Sequence, residues 1–386
     1  MNFMTLTHAR TMALAGLWVA VAPRLARAED AVRYKFQDYQ ESGGRIAVKV
    51  HGAAVEKDFG QSTHLKIEGV IDAITGATPN GQPAPAGSDQ VPLSKLTERR
   101  KAWNAALSQQ FQRVNVAVGV ANSRESDYVS NGWSLNTLTD FNQKNTTLLV
   151  GVAGTDDDIR VFYQTERAKK RTNDVVVGVT QLLDPQTSLT FNVTWGRQRG
   201  YLADPYKLVQ KEVEILPGLL LTRTFGENRP AEREKWIALA VMNRAFPALH
   251  GAAEASYRYY HDTYGTDAHT LDLSWFQQLG DKVILRPGFR FYDQSAANFY
   301  YYRLDGTPII PESGAPRANG PFYSSDYRLS QLQTYTVGLK AIWNITDAWQ
   351  VDAAYERYDM RGKDGVTPQS AYARANIITL GARFGW

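Results

Sequence analysis

Apolar and polar residues alternate along most of this chain, in stretches of about ten residues. In one stretch Leu65, Ile67 and Ile71 share a parity, and Lys66 and Asp72 lie on the opposite parity. A period of two residues is that of a β-strand with one apolar and one polar face. The pattern recurs in apolar sets that begin at Ile46, Trp103, Val114, Trp133, Leu148, Val175, Leu189, Ala253, Leu271, Val283, Tyr335, Trp349 and Ile378. The chain is therefore predicted to be all-β.

Sixteen strands are predicted, and an even number places both ends of the sheet on one side of a membrane. The first two strands are Val32–Gln40 and Arg45–Val55. The tenth, Lys235–Arg244, is apolar on both faces, so its register is ambiguous. Fourteen or eighteen strands stay open as alternatives, because Arg197–Ala231 has the length to form a hairpin of its own around Pro217.

Charge and aromatic positions favour a transmembrane barrel over a soluble sandwich, which also alternates. The polar faces carry charge in mid-strand, and the apolar faces end in Trp, Tyr or Phe, as in barrels with aromatic girdles. Closure pairs every backbone N–H and C=O within the hydrocarbon. A lumen of sixteen strands is too wide for side chains alone to fill, so it must hold water, a folded-in loop or a partner.

The connections alternate in length, as expected for short periplasmic turns and long outer loops of an antiparallel up-and-down barrel. The short ones are Lys57–Ser62, Phe111–Arg113, Asn142–Asn145, Asp184–Thr187, Phe246–Gly251, Gly280–Lys282 and Asn344–Asp347. The long ones are Thr75–Glu98, Arg124–Asn131, Thr155–Asn173, Arg197–Ala231, Asp262–Ala268, Ser295–Tyr327 and Met360–Ser370. The last alternating run ends in Phe384 and Trp386, which we interpret as a signal for the outer-membrane assembly machinery.

The N-terminus has the features of a secretory signal peptide. Arg10 provides a positive charge, Thr11–Ala22 is apolar, and Ala26–Ala28 has the A-x-A form of a cleavage site. Residues 1–28 are therefore predicted to be the signal peptide and residues 29–386 the barrel domain, exported to the outer membrane of a Gram-negative cell. An N-terminal membrane anchor is the alternative, but the apolar stretch is short for one.

Composition excludes several kinds of site and partner. The 386 residues include no cysteine, which excludes disulfides, Cys-ligated metals and thiol nucleophiles. The chain has 43 basic and 39 acidic residues, and three of the basic ones, Arg10, Arg24 and Arg27, lie in the signal peptide. Overall charge therefore gives no argument for binding nucleic acid. No motif for a cofactor or a metal is present.

Charged residues on the polar faces are the candidates for lining a pore. Their signs are mixed, which is typical of salt bridges that brace a lumen or of a transverse field, whereas a ring of one sign would indicate ion selectivity. Solvated wall residues without a selectivity role are the alternative. The candidates are Lys66, Glu68, Asp72, Glu254, Arg258, Asp272, Arg286, Arg290, Lys340, Asp352 and Glu356. His51 and His64 are assigned to the same lumen-facing parity.

Two basic runs are predicted to lie in outer loops, Glu98–Lys101 and Arg167–Arg171. Such runs bind lipopolysaccharide phosphates or attract an anionic solute, or are solvated surface, which we favour. A separate group, His261, Asp262, Asp267 and His269, surrounds one outer loop, where a His–Asp pair has the chemistry to activate water. No catalytic motif accompanies it, so an enzyme is not the expected function.

Several segments resemble, in order, those of a family of uncharacterised Gram-negative proteins classed as a domain of unknown function. They are Asp72–Pro79, Glu125–Tyr128, Lys144–Thr147, Gly200–Lys207, Ser256–Tyr260 and Tyr323–Ser330. The resemblance spans essentially the whole mature chain and implies an outer-membrane barrel, without a known substrate or catalytic residue. It also implies an association with exported flavin-transfer and thioredoxin-like proteins.

The predicted function is a porin-like channel for small solutes. The alternative is a barrel that encloses or anchors an envelope partner, linked to extracytoplasmic redox or flavoprotein systems. A hydrolase at the outer rim is the third hypothesis. The sequence leaves open the oligomeric state and whether the loops Arg197–Ala231 and Ser295–Tyr327 fold into the lumen.

Overall fold

The computed structural model describes residues 30–311, 317 and 319–386, and the predicted signal peptide lies outside the described residues. Within them the chain forms eighteen β-strands. They are β1 (Ala31–Glu41), β2 (Ala47–Phe59), β3 (Thr63–Pro79), β4 (Leu93–Phe111), β5 (Val114–Arg124), β6 (Tyr128–Phe141), β7 (Thr146–Ile159), β8 (Ala168–Asp184), β9 (Thr187–Gly200), β10 (Leu208–Leu216), β11 (Leu219–Gly226), β12 (Glu232–Phe246), β13 (Gly251–Asp262), β14 (Asp267–Leu279), β15 (Val283–Gln294), β16 (Leu332–Asn344), β17 (Trp349–Gly362) and β18 (Arg374–Gly385).

Sixteen of these strands form a closed antiparallel barrel, which confirms the predicted fold. Each barrel strand pairs with the barrel strands that come before and after it along the chain, and β1 closes on β18 with Ala31 opposite Gly385. β10 and β11 form a separate hairpin that turns at Pro217 and Gly218. The hairpin considered from the sequence therefore exists but adds no strand to the barrel, because β9 pairs directly with β12.

The two ends of the barrel differ in their connections. At the turn end, successive strands are joined by two to four residues, as between Phe111 and Val114. At the loop end, four connections are long: 80–92, 201–231, 295–331 and 363–373. The predicted long connections Arg124–Asn131 and Asp262–Ala268 are wrong, since only residues 125–127 and 263–266 separate the strands there.

Two more predicted loops shorten because their charged residues belong to strands. β7 and β8 continue to Ile159 and from Ala168, with Asp156 opposite Arg171. The run Arg167–Arg171 therefore lies mostly in β8, and the run Glu98–Lys101 lies within β4 rather than in a loop. Cross-strand pairs of opposite charge stabilise such extensions beyond the apolar part of a strand.

Aromatic side chains form two rows on the outside of the barrel. Phe111 and Phe141 lie at the turn end, and Trp103 and Trp133 lie eight residues away on the same strands. Eight residues of strand span about 26 Å, and tilt shortens this height. The exposed residues between the rows include Leu107, Val118, Val120 and Leu135. This arrangement is an apolar band bounded by aromatic girdles.

The parity assigned to β2 is wrong. Val48 and Val50 are buried on the inner face, although their alternation was assigned to the lipid side. His51 therefore lies on the outside, where its Nδ1 contacts the hydroxyl of Tyr34 at 2.7 Å, and not in the lumen. The inner face here packs against loop residues such as Tyr372, so it is apolar. Among the described residues, no helix has the length and apolar character to cross a membrane.

Candidate functional site

Four long connections meet across the loop end of the barrel. We call residues 80–92, 201–231, 295–311, 317, 319–331 and 363–373 the loop cap. The ammonium group of Lys207, which follows β9, donates a hydrogen bond to the carbonyl of Pro79 at the end of β3. Leu208 N donates to Asn80 O at 2.7 Å. Five strands separate β3 from β9 in the ring of sixteen, so these contacts span the mouth of the barrel.

Further contacts cross the mouth in other directions. Val91 N, just before β4, donates to Ser370 Oγ, just before β18, at 3.1 Å. Tyr302 accepts a hydrogen bond from Ala84 N at 2.8 Å. The hydroxyl of Tyr206 donates to Asp127 in the β5–β6 connection at 2.5 Å. The loop cap is thus tied both to itself and to the rim.

A buried network of charges lies at the centre of the loop cap. Arg229 Nη2 donates to Glu227 Oε2 at 3.0 Å and to Asp326 Oδ2 at 2.8 Å. Arg328 donates through Nε to Asp326 at 2.8 Å and through Nη2 to Asp204 at 2.6 Å. Each cation therefore bridges two carboxylates. Together with Lys207 the network holds three cations and three anions, so its formal charges balance.

Burial and neighbouring charges shift the pKa values of the groups in this network, and at Asp326 the two effects oppose each other. Burial lowers the pKa of the Lys207 ammonium group and raises that of the Glu227 carboxyl. Burial alone would also raise the pKa of Asp326, but the charges of Arg328 and Lys207 outweigh it and hold that pKa well below its ordinary value. The Asp326 carboxylate is therefore the anion that the surrounding cations stabilise most clearly.

An apolar core supports the loop cap from below. Tyr327, Tyr372 and Val91 of the loop cap pack with inward residues of β1, β2, β16, β17 and β18. Ser330, fully buried, contacts the hydroxyl of Tyr372 at 2.7 Å. Closely packed apolar contacts of this kind keep a loop in one arrangement. The interior at this side of the barrel is therefore a protein core and not a wet wall.

Three of the six segments that resemble the family of uncharacterised proteins meet in or beside this network. Pro79, Lys207 and Asp326 come from three of them, although they are far apart in the sequence. Sequence reasoning assigned no role to these residues. The available signal was the presence of Asp, Lys and Arg in the segments that resemble those of the family, but nothing in the sequence shows which charges meet.

The eleven pore-lining candidates all lie on the inward parity of their strands. Several form ion pairs with one another: Lys66–Glu68 at 3.1 Å, Lys340–Asp352 at 2.8 Å, Arg290–Asp272 at 3.3 Å and Arg286–Glu254 at 3.7 Å. Asp72 pairs instead with Arg100 of β4 at 2.6 Å, a partner that the sequence did not indicate. Arg258 lies over the ring of Tyr260, and Glu356 is opposite Gly338.

Water reaches part of this inner wall. The side chains of Glu254, Asp272 and Arg286 are 40%, 36% and 30% exposed, although they point into the barrel. Asp72, by contrast, is buried. The interior thus combines an accessible charged wall along β13–β15 with a core beneath the loop cap.

The four residues of the predicted His–Asp group do not form one site. His261 Nδ1 contacts Asp267 Oδ1 at 2.9 Å, and His269 Nδ1 contacts Tyr257 at 2.7 Å, all on the outside of the barrel. Asp262 lies on the inner face and pairs with Arg233. The barrel wall therefore separates Asp262 from the histidines. Among the described residues no group of three or more His, Asp or Glu is arranged to hold a metal ion.

The C-terminal aromatic residues lie together at the turn end. Phe384 contacts Trp349 with ring centroids 4.8 Å apart and stacks on Trp386 at 5.8 Å. Trp386 is 58% exposed on the outside. Both residues therefore belong to the aromatic row at this end.

Comparisons with known proteins give a family and a fold. A family model described as "Protein of unknown function (DUF3570)" matches residues 6–168 and 160–371. No curated protein matches the chain. A bacterial polysaccharide outer membrane secretin is 8% identical, with a TM-score of 0.50, over 94% of this chain and 99% of that one. This likeness is one of fold alone.

Two other solved barrels illustrate the range of lengths. The siderophore receptor PirA from Pseudomonas aeruginosa is 12% identical with a TM-score of 0.43, over 94% of this chain and 62% of that one. A loop L8 deletion mutant of OmpT, an outer membrane protein of Vibrio cholerae, is 9% identical with a TM-score of 0.44, over 93% and 100%. The chain thus spans less than two thirds of the length of the receptor.

Proposed function

We propose that this chain, which belongs to the DUF3570 family of proteins of unknown function, is an outer-membrane channel for small solutes whose outer mouth is narrowed by the loop cap. The observation that carries the proposal is the solvent-accessible wall of charged pairs along β13–β15. A barrel used only as a rigid anchor does not need charged side chains kept in contact with water. The mixed signs favour a transverse field over selection of one ion.

The aromatic rows support the proposed location in the outer membrane. They bound an apolar band of the height expected for a bilayer, and short turns lie beyond one row. In this orientation the turn end faces the periplasm and the loop cap faces outward. Phe384 and Trp386 at the turn end are proposed to be the residues that the assembly machinery recognises.

Planar-bilayer recordings of the folded chain test the channel. Stepwise currents are expected, and a bilayer that stays sealed would overturn the proposal. Glu254→Gln with Asp272→Asn removes two negative charges from the wall, so ion preference in a salt gradient should shift toward anions. The matched control, Asp281→Asn with Asp347→Asn in two exposed turns at the other end of the barrel, should leave the preference unchanged.

A second candidate function is a scaffold for an envelope partner. The hairpin β10–β11 favours it, because Leu216, Leu219 and Leu220 at its tip are half exposed or more. Exposed apolar groups of this kind are typical of contact surfaces. Chemical cross-linking in intact cells, compared between the full chain and one whose residues 215–221 are replaced by a short polar turn, tests this role. A partner protein that cross-links to the full chain but not to the chain with the altered tip would support the scaffold.

The contact between His261 and Asp267 does not support a hydrolase that acts on solutes in the lumen. The His261–Asp267 contact lies on the outside of the barrel, apart from the accessible inner wall. A general base needs to reach its substrate within hydrogen-bond distance. A His–Asp pair on the lipid-facing side does not reach solutes within the lumen.

A further inference from the structure

A cleft of about 660 Å³ lies on the outside of the barrel near the loop end of β7, β8 and β9. Its lining combines the basic residues Lys169, Arg171, Arg197 and Arg199 with Asn131, Asn173 and the acidic residues Asp156, Asp157 and Asp158. Buried Lys170 and Gln198 alternate with the basic residues, which places the latter on the outer parity. The outward basic side chains of the cleft therefore point away from the lumen.

The height of the cleft is fixed by the aromatic row beside it. Arg197 comes two residues after Trp195, and Asn131 two residues before Trp133, on the outer parity of the same strands. Trp195 itself pairs with Trp236 of β12. Aromatic girdles lie at the level of lipid headgroups. The cleft thus begins where the hydrocarbon ends, on the side of the membrane that the loop cap faces.

Each outward basic side chain of the cleft has an acidic partner at the surface: Lys169 pairs with Asp158, and Arg197 pairs with Glu232 at 2.7 Å. Arg171 pairs through Nε with Asp156 at 2.7 Å, and Arg199 pairs through Nε with Glu232 at 3.4 Å. Their side chains are 69% and 55% exposed. A guanidinium has five N–H donors, so an ion pair through Nε leaves capacity for another acceptor. Exposed ion pairs are also weak enough to exchange partners.

One conformationally restricted residue shapes this corner of the barrel. Gly200 ends β9 with φ of +108°, and a Cβ there would lie 2.2 Å from the carbonyl oxygen of Lys169. A larger residue would therefore push the ends of β8 and β9 apart. The close approach keeps Arg199 and Arg171 opposite each other across the two strands.

We propose that this cleft binds the phosphorylated sugar headgroup of an outer-leaflet glycolipid of the lipopolysaccharide type. Arg171 and Arg199 bind a phosphate, since guanidinium groups suit phosphate geometry. Asn131 and Asn173 offer amide groups to sugar hydroxyls. The acyl chains lie against the apolar wall below Trp133 and Trp195. That wall favours a lipid over a free anion, and the inference rests on the proposed outer-membrane location.

The test is titration of the folded chain in detergent micelles with purified lipopolysaccharide, followed by native mass spectrometry. Arg171→Gln with Arg199→Gln should weaken binding about tenfold or more, because each charged hydrogen bond lost has roughly that effect. The matched control is Arg113→Gln with Arg244→Gln, which removes two exposed basic residues at the turn end. It should bind as the unaltered chain does.

Equal binding by the Arg171/Arg199 variant, or an equal loss in the control, would overturn the site. Inorganic phosphate alone is the second probe: if it binds as tightly as lipopolysaccharide and depends on the same arginines, the lipid is the wrong source of the phosphate. Bilayer currents of the same samples separate this inference from the channel. A chain that binds lipopolysaccharide but carries no current would overturn the proposed channel and still support the cleft as a glycolipid site.

Discussion

Asp326 shows most clearly how single residues hold the loop cap in place. Its carboxylate, 1% exposed, accepts hydrogen bonds from both Arg229 and Arg328. Charges taken out of water are costly unless each is paired, so removal of one member leaves the others uncompensated. The network therefore makes the loop cap sensitive to changes at one position.

Asp326→Asn should loosen the loop cap without unfolding the barrel. The neutral amide leaves two buried arginines without their shared anion, a loss of about 3–5 kcal/mol for a broken buried pair. Limited proteolysis in detergent should then cut within 201–231 and 295–331 faster than in the unaltered chain.

The control for this change is Asp305→Asn in the same loop. Asp305 pairs with Arg303 at 2.6 Å, but that arginine is 39% exposed, so a small effect is expected. Equal cleavage of both variants would show that the buried network does not hold the loops.

Acid should affect the loop cap in two stages. The pKa of Asp326 is depressed from an ordinary value of 3.8, so its contribution to stability is complete above pH 3.8 and is lost as pH falls through the depressed folded-state pKa. The pKa of Glu227 is raised by burial from 4.5, so acidification through that raised pKa first increases stability.

Hydrogen exchange of the loop cap amides, corrected for intrinsic rates, should therefore slow as the pH falls toward 4.5, the ordinary pKa of the Glu227 carboxyl, and quicken as it falls below 3.8, the ordinary pKa of Asp326. Glu227→Gln should remove the slower exchange on mild acidification, and Asp326→Asn should remove the faster exchange at the lowest pH. Exchange protection that is constant from pH 3 to pH 7 in the unaltered chain would contradict this account.

At the scale of elements, β2 shows that alternation gives two faces but not their direction. In β3, Ile67 and Ile71 are exposed on the outside, as the pattern predicts. In β2, Val48 and Val50 point inward because Tyr372 and its neighbours make that part of the interior apolar. The apolar residues of the alternation therefore point outward in β3 and inward in this part of β2.

The direction of β2 can be measured in a chain that has no cysteine of its own. A bimane label on His51→Cys should be quenched by nitroxide-labelled lipids, because that position faces outward. The same label on Val50→Cys should be protected, because Val50 is 6% exposed inside the barrel. Stronger quenching at position 50 than at position 51 would reverse the assigned parity.

At the scale of the whole molecule, the barrel and the loop cap are separable layers. The barrel is held by sixteen ladders between neighbouring strands, whereas the loop cap depends on a few long-range contacts such as Lys207–Pro79. Closed ladders open only together, while loops open locally at lower cost. Changes in the loop cap should therefore alter passage through the mouth before they alter the fold.

Gel mobility tests this separation. The unboiled chain should migrate as a compact band that shifts on boiling, since closed barrels resist detergent until heated. Asp326→Asn should keep this shift but raise single-channel conductance, because a loosened loop cap widens the mouth. A variant with no compact band would show that the network supports the barrel itself.

The sequence by itself determined the barrel. Its alternation predicts strands with one apolar and one charged face, and aromatic residues end the apolar faces. In a membrane such strands pair all their backbone groups only in a closed sheet. It also placed the eleven wall residues on one parity, from Lys66 to Glu356. Only the tertiary structure decided the direction of β2, the partner of Asp72 and the network around Asp326. The partner of Asp72 follows from the register of β3 against β4. The direction of β2 and the network around Asp326 depend on loops that cross the mouth, and contacts between residues more than a hundred positions apart leave no periodic signal in the chain.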